Sequence, residues 1–137
     1  MKELEVKASV TNLNTVLQFI DTQLETTNCS AKMQMQIDLA VEEIFVNIAN
    51  YAYSPKTGSA LIKVEITQDS PAIRITFIDS GTPYDPLTKD DPDITLPSDK
   101  RAIGGLGIFL VKKIMDTIHY QYIHGKNTLT IIKKLAP

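Results

Sequence analysis

At 137 residues the chain has room for one domain with one hydrophobic core, and residues 1–137 are expected to form a single domain. Its 43% hydrophobic and 22% charged composition is ordinary for a globular protein, and a net charge of −2 with scattered basic residues gives no case for direct nucleic-acid binding. No apolar run approaches the roughly 18–20 residues that cross a bilayer, and the alternating charges of residues 3–7 are wrong for a signal peptide. Cys29 is the single cysteine, so an internal disulfide is impossible and a cytoplasmic protein without membrane contact is expected.

The first half of the chain predicts a strand followed by two helices. Apolar residues alternate with charged ones over residues 4–8, which is the pattern of a half-buried strand. A helical period begins after Asn12, a candidate cap, and continues to about residue 25. A second helix is expected over residues 30–53, because Pro55 follows and stops it.

The second half predicts two hairpins separated by an irregular segment and one helix. The segments are strands at 62–67 and 73–77, an irregular stretch at 80–104, a helix at 106–117, and strands at 118–124 and 128–135 around a turn at Gly125-Lys126-Asn127. An irregular stretch of that length inside a compact domain is usually functional or disordered. The expected fold class is α+β: a two-layer sandwich with a mixed, mostly antiparallel sheet and helices on one face.

The second predicted helix carries three polar residues in register. Glu43, Asn47 and Asn50 stand at i, i+4 and i+7, so an ideal helix places them on one side of a largely apolar surface. An unsatisfied polar group in such a covering costs roughly 1–3 kcal/mol, so water or a ligand should meet these side chains. A solvated helix face is the alternative interpretation.

A second polar feature ends the predicted strand at 73–77. The sequence Asp79-Ser80-Gly81-Thr82-Pro83 places a carboxylate where a buried strand opens into a turn. A carboxylate there can accept a hydrogen bond from an exocyclic amine, and Gly81 allows the backbone to approach a flat ring. An ordinary Asp-Ser-Gly turn is the alternative.

The third feature is the run of glycines that leads into the last helix. Gly104-Gly105-Leu106-Gly107 brings backbone N–H groups to a helix start, where the macrodipole favours phosphate. No Gly-Lys-Ser/Thr follows, so this is not a Walker loop, and no strand precedes it as in a dinucleotide fingerprint. The alternative interpretation is a glycine-rich helix start that binds no ligand.

In this order the three features resemble the Bergerat ATP-binding fold of gyrase-type topoisomerases, heat-shock chaperones, histidine kinases and MutL-type repair proteins. Residues 42–47 resemble its N box, residues 79–83 its first glycine box and residues 104–107 its second. The sequence Gly-Leu-Gly-Ile-Phe-Leu-Val-Lys-Lys-Ile-Met-Asp at 105–116 is similar to the branch of anti-sigma-factor serine/threonine kinases. The resemblance covers essentially the whole chain.

The resemblance implies ATP and Mg²⁺ as cofactors. Asn47 would ligate the magnesium and Asn50 would lie near the nucleotide. Asp79 would accept the adenine amine with Gly81 beside the base. The second glycine box would hold the phosphates, through the backbone amides of Gly105 and Gly107 in particular.

Further roles follow from the same resemblance. Glu43 is where the kinase branch places the carboxylate that activates the attacking hydroxyl. Residues 82–103 would form a lid over the triphosphate, and Arg101 or Lys100 could face phosphate, although a solvated lid is an equal alternative. Thr128 would approach the nucleotide, as a threonine near the end of the family's domain does. The alternative is that Thr128 is present only because threonine is favoured in strands.

The implied function is a protein kinase that phosphorylates a small anti-sigma-factor antagonist protein and also binds a sigma factor, with a homodimer left open. Many kinases of the branch carry a histidine one turn after the N-box asparagine, where this chain has Tyr51. That difference leaves room for a second hypothesis, a non-catalytic, nucleotide-dependent binding switch of the same fold. A sensor histidine kinase is disfavoured, because the chain shows no phospho-accepting histidine and no preceding helix pair.

Overall fold

The computed structural model describes residues 1–88 and 105–135. Strands and helices follow one another as β1 (Lys2–Lys7), α1 (Leu13–Leu24), α2 (Ala31–Asn47), β2 (Ser59–Thr67), β3 (Ala72–Asp79), α3 (Gly105–Ile114), β4 (Thr117–Ile123) and β5 (Lys126–Lys134). Short 3₁₀ turns lie at Val10–Asn12 and Pro86–Thr88, and a π-helical turn at Ile48–Ala52 extends α2. The predicted order of elements is therefore confirmed.

The five strands form one sheet in the order β1-β2-β3-β5-β4, and each pair of neighbours is antiparallel. Burial alternates along the three central strands, so every second side chain faces the helices, as in Ile73, Ile75 and Phe77 of β3. The predicted two-layer α+β architecture is confirmed. Among the described strands the sheet is antiparallel throughout, and no parallel pair makes it mixed.

The hydrophobic core lies between the sheet and the helices. Each helix buries side chains at spacings of three and four: Val16, Ile20 and Leu24 of α1; Ile37, Ala40, Val41, Ile44 and Phe45 of α2; Ile108 and Val111 of α3. Phe45 and Phe77 are the largest of the fully buried side chains, and they come from the helix layer and the sheet respectively. Among the described helices, none is long and apolar enough to cross a membrane.

The helix starts differ from one another in how they are capped. Ser30 is the N-cap of α2, and its hydroxyl accepts from the backbone N–H of Met33 at 3.1 Å. Asn12 precedes α1 but makes no cap bond, because its side chain donates to the carbonyl of Lys7 at 2.8 Å instead. This bond ties the start of α1 to the end of β1.

The final hairpin turns one step earlier than predicted. His124 and Gly125 form a two-residue turn with φ of 53° and 75°, the combination of positive angles that suits the twist of a tight hairpin. Lys126 and Asn127 consequently belong to β5 and not to the turn. In this register Asn127 pairs directly with Asp79 across the sheet.

Candidate functional site

A cavity of about 540 Å³ lies between the end of α2, the end of β3 and the start of β5. Its size is within the usual range of roughly 300–1,000 Å³ for small-molecule sites. The lining residues are Ile44, Asn47, Ile48, Tyr51, Ala52, Phe77, Asp79, Thr82, Pro83, Tyr84, Pro86, Ile108, Tyr120, Asn127 and Leu129. The walls are thus mainly apolar and aromatic, with a few polar groups converging on one space.

The helical side of the cavity is formed where α2 changes from α-helical to π-helical bonding. Asn47 is the last residue of α2 and lines the cavity, as its predicted role requires. The π turn at Ile48–Ala52 then widens the helix, so Tyr51 and Ala52 follow Asn47 along the wall. Asn50 is exposed and does not line the cavity, because the ideal helical spacing used to predict it does not hold in this turn.

The sheet side of the cavity contains one buried acid. Asp79 is the last residue of β3 and is only 6% exposed. Its Oδ1 accepts two hydrogen bonds of 2.9 Å, from the backbone N–H of Gly81 and from the side-chain Nδ2 of Asn127. No donor to Oδ2 is recorded in the described part of the chain, so this second oxygen is available to a ligand amine.

The turn after β3 is packed tightly against the end of α2. A Cβ added at Gly81 would overlap the carbonyl of Ala52, which accepts from the N–H of Thr82 at 2.8 Å. The glycine is therefore required for this approach of two backbone segments. Gly81 itself does not line the cavity, but its neighbour Thr82 does, and the predicted place of Gly81 beside a bound ring stays a prediction.

Tyr53 fixes the same junction from outside the cavity. Its hydroxyl donates to the carbonyl of Ser59 at 2.6 Å and accepts from the N–H of Ser80 at 2.8 Å. The ring also packs against Gly58, where an added Cβ would overlap it. One side chain therefore joins the end of α2 to the start of β2 and the end of β3.

Glu43 lies one helical turn before Asn47, at the contact between α2 and α3. A Cβ added at Gly107 would overlap the Glu43 carboxylate, so this carboxylate lies directly against the backbone of the first turn of α3. Gly105 begins α3, and Leu106 and Gly107 follow in that turn. The structure thus brings the predicted catalytic carboxylate together with the predicted phosphate-binding backbone.

The remaining predicted site residues are either outside the described residues or, in the case of Thr128, on the opposite face of the sheet. Gly104 and Arg101 lie outside the described residues, as do Lys89 and Lys100 of the predicted lid. Thr128 lies between Asn127 and Leu129, whose side chains line the cavity, and the alternation of β5 directs Thr128 to the opposite face of the sheet.

The sequence analysis did not identify Asn127, which lines the cavity where Thr128 was expected. Asn127 is 7% exposed, and its Oδ1 accepts from the N–H of Tyr84 at 3.1 Å and from the hydroxyl of Tyr120. Its Nδ2 donates to Thr82 as well as to Asp79. A buried asparagine opposite a buried aspartate could have been found only from the strand register.

The pKa values of Tyr120 and Asp38 are both raised above their ordinary values. Burial is the largest cause that raises the pKa of Tyr120, so its phenol stays protonated and can donate to Asn127. Away from the cavity, burial raises the pKa of Asp38 on α2 to about 7, with the hydrogen bond and charge of Asp21 on α1 adding to it. One oxygen of each of these two carboxyl groups is buried without a recorded partner.

A comparison with protein families identifies the fold. The model described as "Histidine kinase-like ATPase domain" matches residues 6–133, which is nearly the whole chain. The chain belongs to this family. The histidine kinase-like ATPase assignment confirms the family and fold predicted from the three motifs.

Individual relatives of this ATPase domain are named as protein kinases. The chain is 26% identical over 134 residues to the serine/threonine-protein kinase BtrW of Bordetella bronchiseptica, covering 98% of this chain and 94% of BtrW. It is 28% identical over 94 residues to the serine-protein kinase RsbW of Listeria monocytogenes, covering 65% of this chain but only 59% of the Listeria protein.

Solved structures of histidine kinase-like ATPase domains have the same fold. The structure of the RsbU and RsbW domains of Rv1364c from Mycobacterium tuberculosis aligns with a TM-score of 0.69 and 15% identity, over 100% of this chain and 34% of that one. The histidine kinase domain of a blue-light activated kinase from Erythrobacter litoralis aligns with a TM-score of 0.51 and 14% identity, over 91% of this chain and 60% of that one.

Proposed function

We propose that residues 1–137 form one ATP-binding domain that acts as a protein serine/threonine kinase. The proposed substrate is a serine or threonine of a small anti-sigma-factor antagonist protein, and a sigma factor is the proposed second partner. The observation that carries this proposal is that Asp79 of the sheet and Asn47 of α2 line one cavity in a member of the histidine kinase-like ATPase family. Relatives named as serine/threonine and serine-protein kinases support the choice of reaction.

The sheet side of the cavity is suited to the adenine base. Asp79 keeps an oxygen available as an acceptor, and an exocyclic amine is the group on adenine that donates. Phe77, Ile48 and Leu129 provide apolar walls for a flat ring. The packing of Gly81 on Ala52 holds the turn beside this position.

The helical side is suited to a triphosphate with Mg²⁺. Asn47 contributes a neutral amide oxygen, and Mg²⁺ takes few protein oxygens while it keeps waters and phosphate oxygens. The first turn of α3 presents backbone N–H groups and the positive end of the helix dipole, both of which favour phosphate. Bound Mg·ATP would supply the γ-phosphoryl group and the charge neutralisation that its transfer needs.

Glu43 is the proposed general base. Its carboxylate lies against the backbone of Gly107, beside the turn assigned to the phosphates and one helical turn from Asn47. The carboxylate accepts the proton of the substrate hydroxyl as the hydroxyl oxygen bonds to the γ-phosphorus and the bond to the departing ADP breaks. A positioned base of this kind contributes about 10²–10⁴-fold in rate.

A nucleotide-dependent binding switch is the second candidate function, and Tyr51 is the observation that favours it. This side chain lines the cavity yet is 58% exposed, so it stands at the mouth where a partner protein would meet the nucleotide. A switch of this kind would bind ATP in the same way but transfer no phosphate.

Two measurements test the proposal. Titration calorimetry with ATP and Mg²⁺ should show one site per chain, and Asp79→Asn and Asn47→Ala should weaken it, while ligand at 100 times its dissociation constant should add about 2.7 kcal/mol of stability. Incubation with γ-labelled ATP and an anti-sigma-factor antagonist encoded in the same genome should then label that protein. Folded wild-type protein that ignores millimolar ATP would refute nucleotide binding, and binding without any transfer would favour the switch.

A further inference from the structure

Asn127 is the centre of the buried hydrogen-bond network at the sheet end of the cavity. Its side chain makes four bonds: Nδ2 donates to Asp79 Oδ1 and to the Thr82 carbonyl, each at 2.9 Å, and Oδ1 accepts from the N–H of Tyr84 and from the hydroxyl of Tyr120. Every polar atom of the amide is thus used, and the residue is 7% exposed. A satisfied buried network of this kind is rigid and costly to disturb.

The four partners permit a single orientation of the amide. Two donors, from Tyr84 and Tyr120, meet the oxygen, and two acceptors, Asp79 and Thr82, meet the nitrogen. A flipped amide would place its NH₂ against the two donors and its oxygen against the two acceptors. The Tyr120 hydroxyl could turn and accept from the flipped NH₂, but the bonds to Tyr84, Thr82 and Asp79 would all be lost, so the amide is fixed as a donor towards Asp79.

This fixed donor determines what Asp79 can present to a ligand. Nδ2 of Asn127 and the N–H of Gly81 both bond Oδ1, so rotation of the carboxylate would break two hydrogen bonds. Oδ2 is consequently held in place as an acceptor, even when a ligand presents a second acceptor to it. Discrimination between ligands requires this rigidity, because a mobile acceptor would simply turn away from a second acceptor.

We propose that Asn127 is the positioning residue that makes the cavity select a 6-amino purine over a 6-oxo purine. The inference rests on the proposed function, since it takes the cavity to be the nucleotide site. Asn127 acts through Asp79 and has no contact with the reacting phosphate in this assignment. Its bonds to Thr82 and Tyr84 also fix two residues of the cavity wall, so the acid and the turn after β3 are held by one side chain.

ATP and inosine triphosphate are a matched pair of probes, because they differ at the purine 6-position, where an oxo group replaces the amine, and at the adjacent N1, which then carries a proton. Wild-type protein should bind ATP about 10–100-fold more tightly, as expected for one hydrogen bond to a charged group. Asn127→Leu keeps a similar size but removes all four bonds, and Asn127→Ala removes them together with the volume of the side chain. Both variants should lower the ATP-to-ITP affinity ratio to within about threefold of one.

Asp79→Asn tests the same geometry in the opposite direction. Gly81 and Asn127 both donate to the inner atom of this side chain, so the introduced amide must place its oxygen inwards and its NH₂ towards the ligand. The affinity ratio should therefore invert in favour of ITP. Adding Asn127→Leu to Asp79→Asn should weaken that inversion, since only the Gly81 N–H then orients the introduced amide.

Controls separate positioning from folding. A general loss of folded protein lowers the affinity for both nucleotides alike and leaves the ratio unchanged, and Thr130→Val, on the other face of β5, should keep the wild-type ratio. An unchanged ratio in folded Asn127→Leu overturns the positioning role while ATP binding stands, and wild-type protein that binds neither nucleotide overturns the proposed function as well. Should both Asn127 variants fail to fold, hydrogen exchange of the wild-type side-chain amides decides: Asn127 should exchange far more slowly than exposed Asn50, and equal rates would refute the network.

Discussion

Replacing Gly107 with alanine is expected to leave the protein folded while it slows phosphoryl transfer. The added Cβ would overlap Oε2 of Glu43 and come within 3.3 Å of its Cδ, whereas the Glu43 Cβ is 3.7 Å away and undisturbed. The clash is thus confined to the end of a flexible side chain, which can turn aside without any movement of α2 or α3. The carboxylate that leaves its position is the proposed general base.

The effect on stability can be estimated from two opposing contributions. Gly107 lies in the first turn of α3, so alanine is favoured over glycine there by at most the helix-interior difference of about 0.8–1.0 kcal/mol. Displacing the Glu43 side chain from its rotamer costs about 0.5–1.5 kcal/mol. The net change in the free energy of unfolding should therefore stay within about 1 kcal/mol of zero, which is a shift of only a few degrees in Tm.

The effect on the reaction should be much larger. Misplacing a catalytic group by about 1 Å can cost about 10²-fold in rate, so the single-turnover rate of transfer should fall by about that factor. Thermal denaturation followed by circular dichroism measures the first quantity, and transfer of labelled phosphate to the partner measures the second. Mg·ATP affinity, measured by calorimetry, shows whether the added methyl group also obstructs the phosphates.

A double-mutant cycle with Glu43→Gln shows whether the two residues act together. If Gly107→Ala acts by displacing the Glu43 carboxylate, it should cost little further in a background that already lacks this base. Additive losses in the cycle, or a wild-type rate in Gly107→Ala, would refute the reasoning. A loss of stability above about 2 kcal/mol would show that the helices themselves had been forced apart.

Three further predictions concern single side chains. Glu43→Gln should reduce transfer by about 10²–10⁴-fold with little change in Mg·ATP affinity, and the neighbouring Glu42→Gln is its control; equal activity of the Glu43 variant would favour the binding switch. Because the pKa of Asp38 is raised from 3.8 to about 7, the folded state holds that proton more tightly than the unfolded state, so this carboxyl makes the protein less stable as pH rises from about 4 to about 7. Asp38→Asn should therefore raise the free energy of unfolding by about 1 kcal/mol at pH 8, after allowance for its partial exposure beside Asp21, and change it little at pH 4; a gain equal at both pH values would contradict the pairing. Tyr53→Phe removes two backbone hydrogen bonds and should cost about 1–3 kcal/mol in urea denaturation, and an unchanged midpoint would mean that these bonds contribute nothing.

The architecture could be predicted because the relevant signals are local. Alternation in β2 and β3, and helical periods in α1 and α2, each depend on neighbours within about seven residues. The order of elements then left few ways to cover one apolar sheet face. The three motifs were also local, and this is why Asn47, Asp79 and Glu43 could be named before any distance was known.

The errors in the candidate site came from small changes of register. Asn50 was placed by an ideal spacing of 100° per residue, and the π turn after Asn47 moves Tyr51 into that direction instead. Asn127 was assigned to a turn, and a tight turn at residues 124–125 returns it to β5. Thr128 was expected near the nucleotide from the family resemblance alone, and the alternation of β5 gives the cavity side to Asn127 and Leu129 instead.

The two ends of the cavity are built from different structural elements, and this difference bears on what each can do. Asp79 and Asn127 are neighbours in a central pair of antiparallel strands, where register and burial together fix both side chains. Glu43, by contrast, is fixed by a contact between α2 and the first turn of α3, immediately after the segment at 89–104 that the structure does not describe. A change in how α3 begins would therefore move the Glu43 carboxylate relative to the phosphates. It would not alter Asp79, the proposed acceptor for the purine ring. Nucleotide selection and phosphoryl transfer should accordingly be separable by mutation, with Asn127 variants changing the first and Gly107 variants the second.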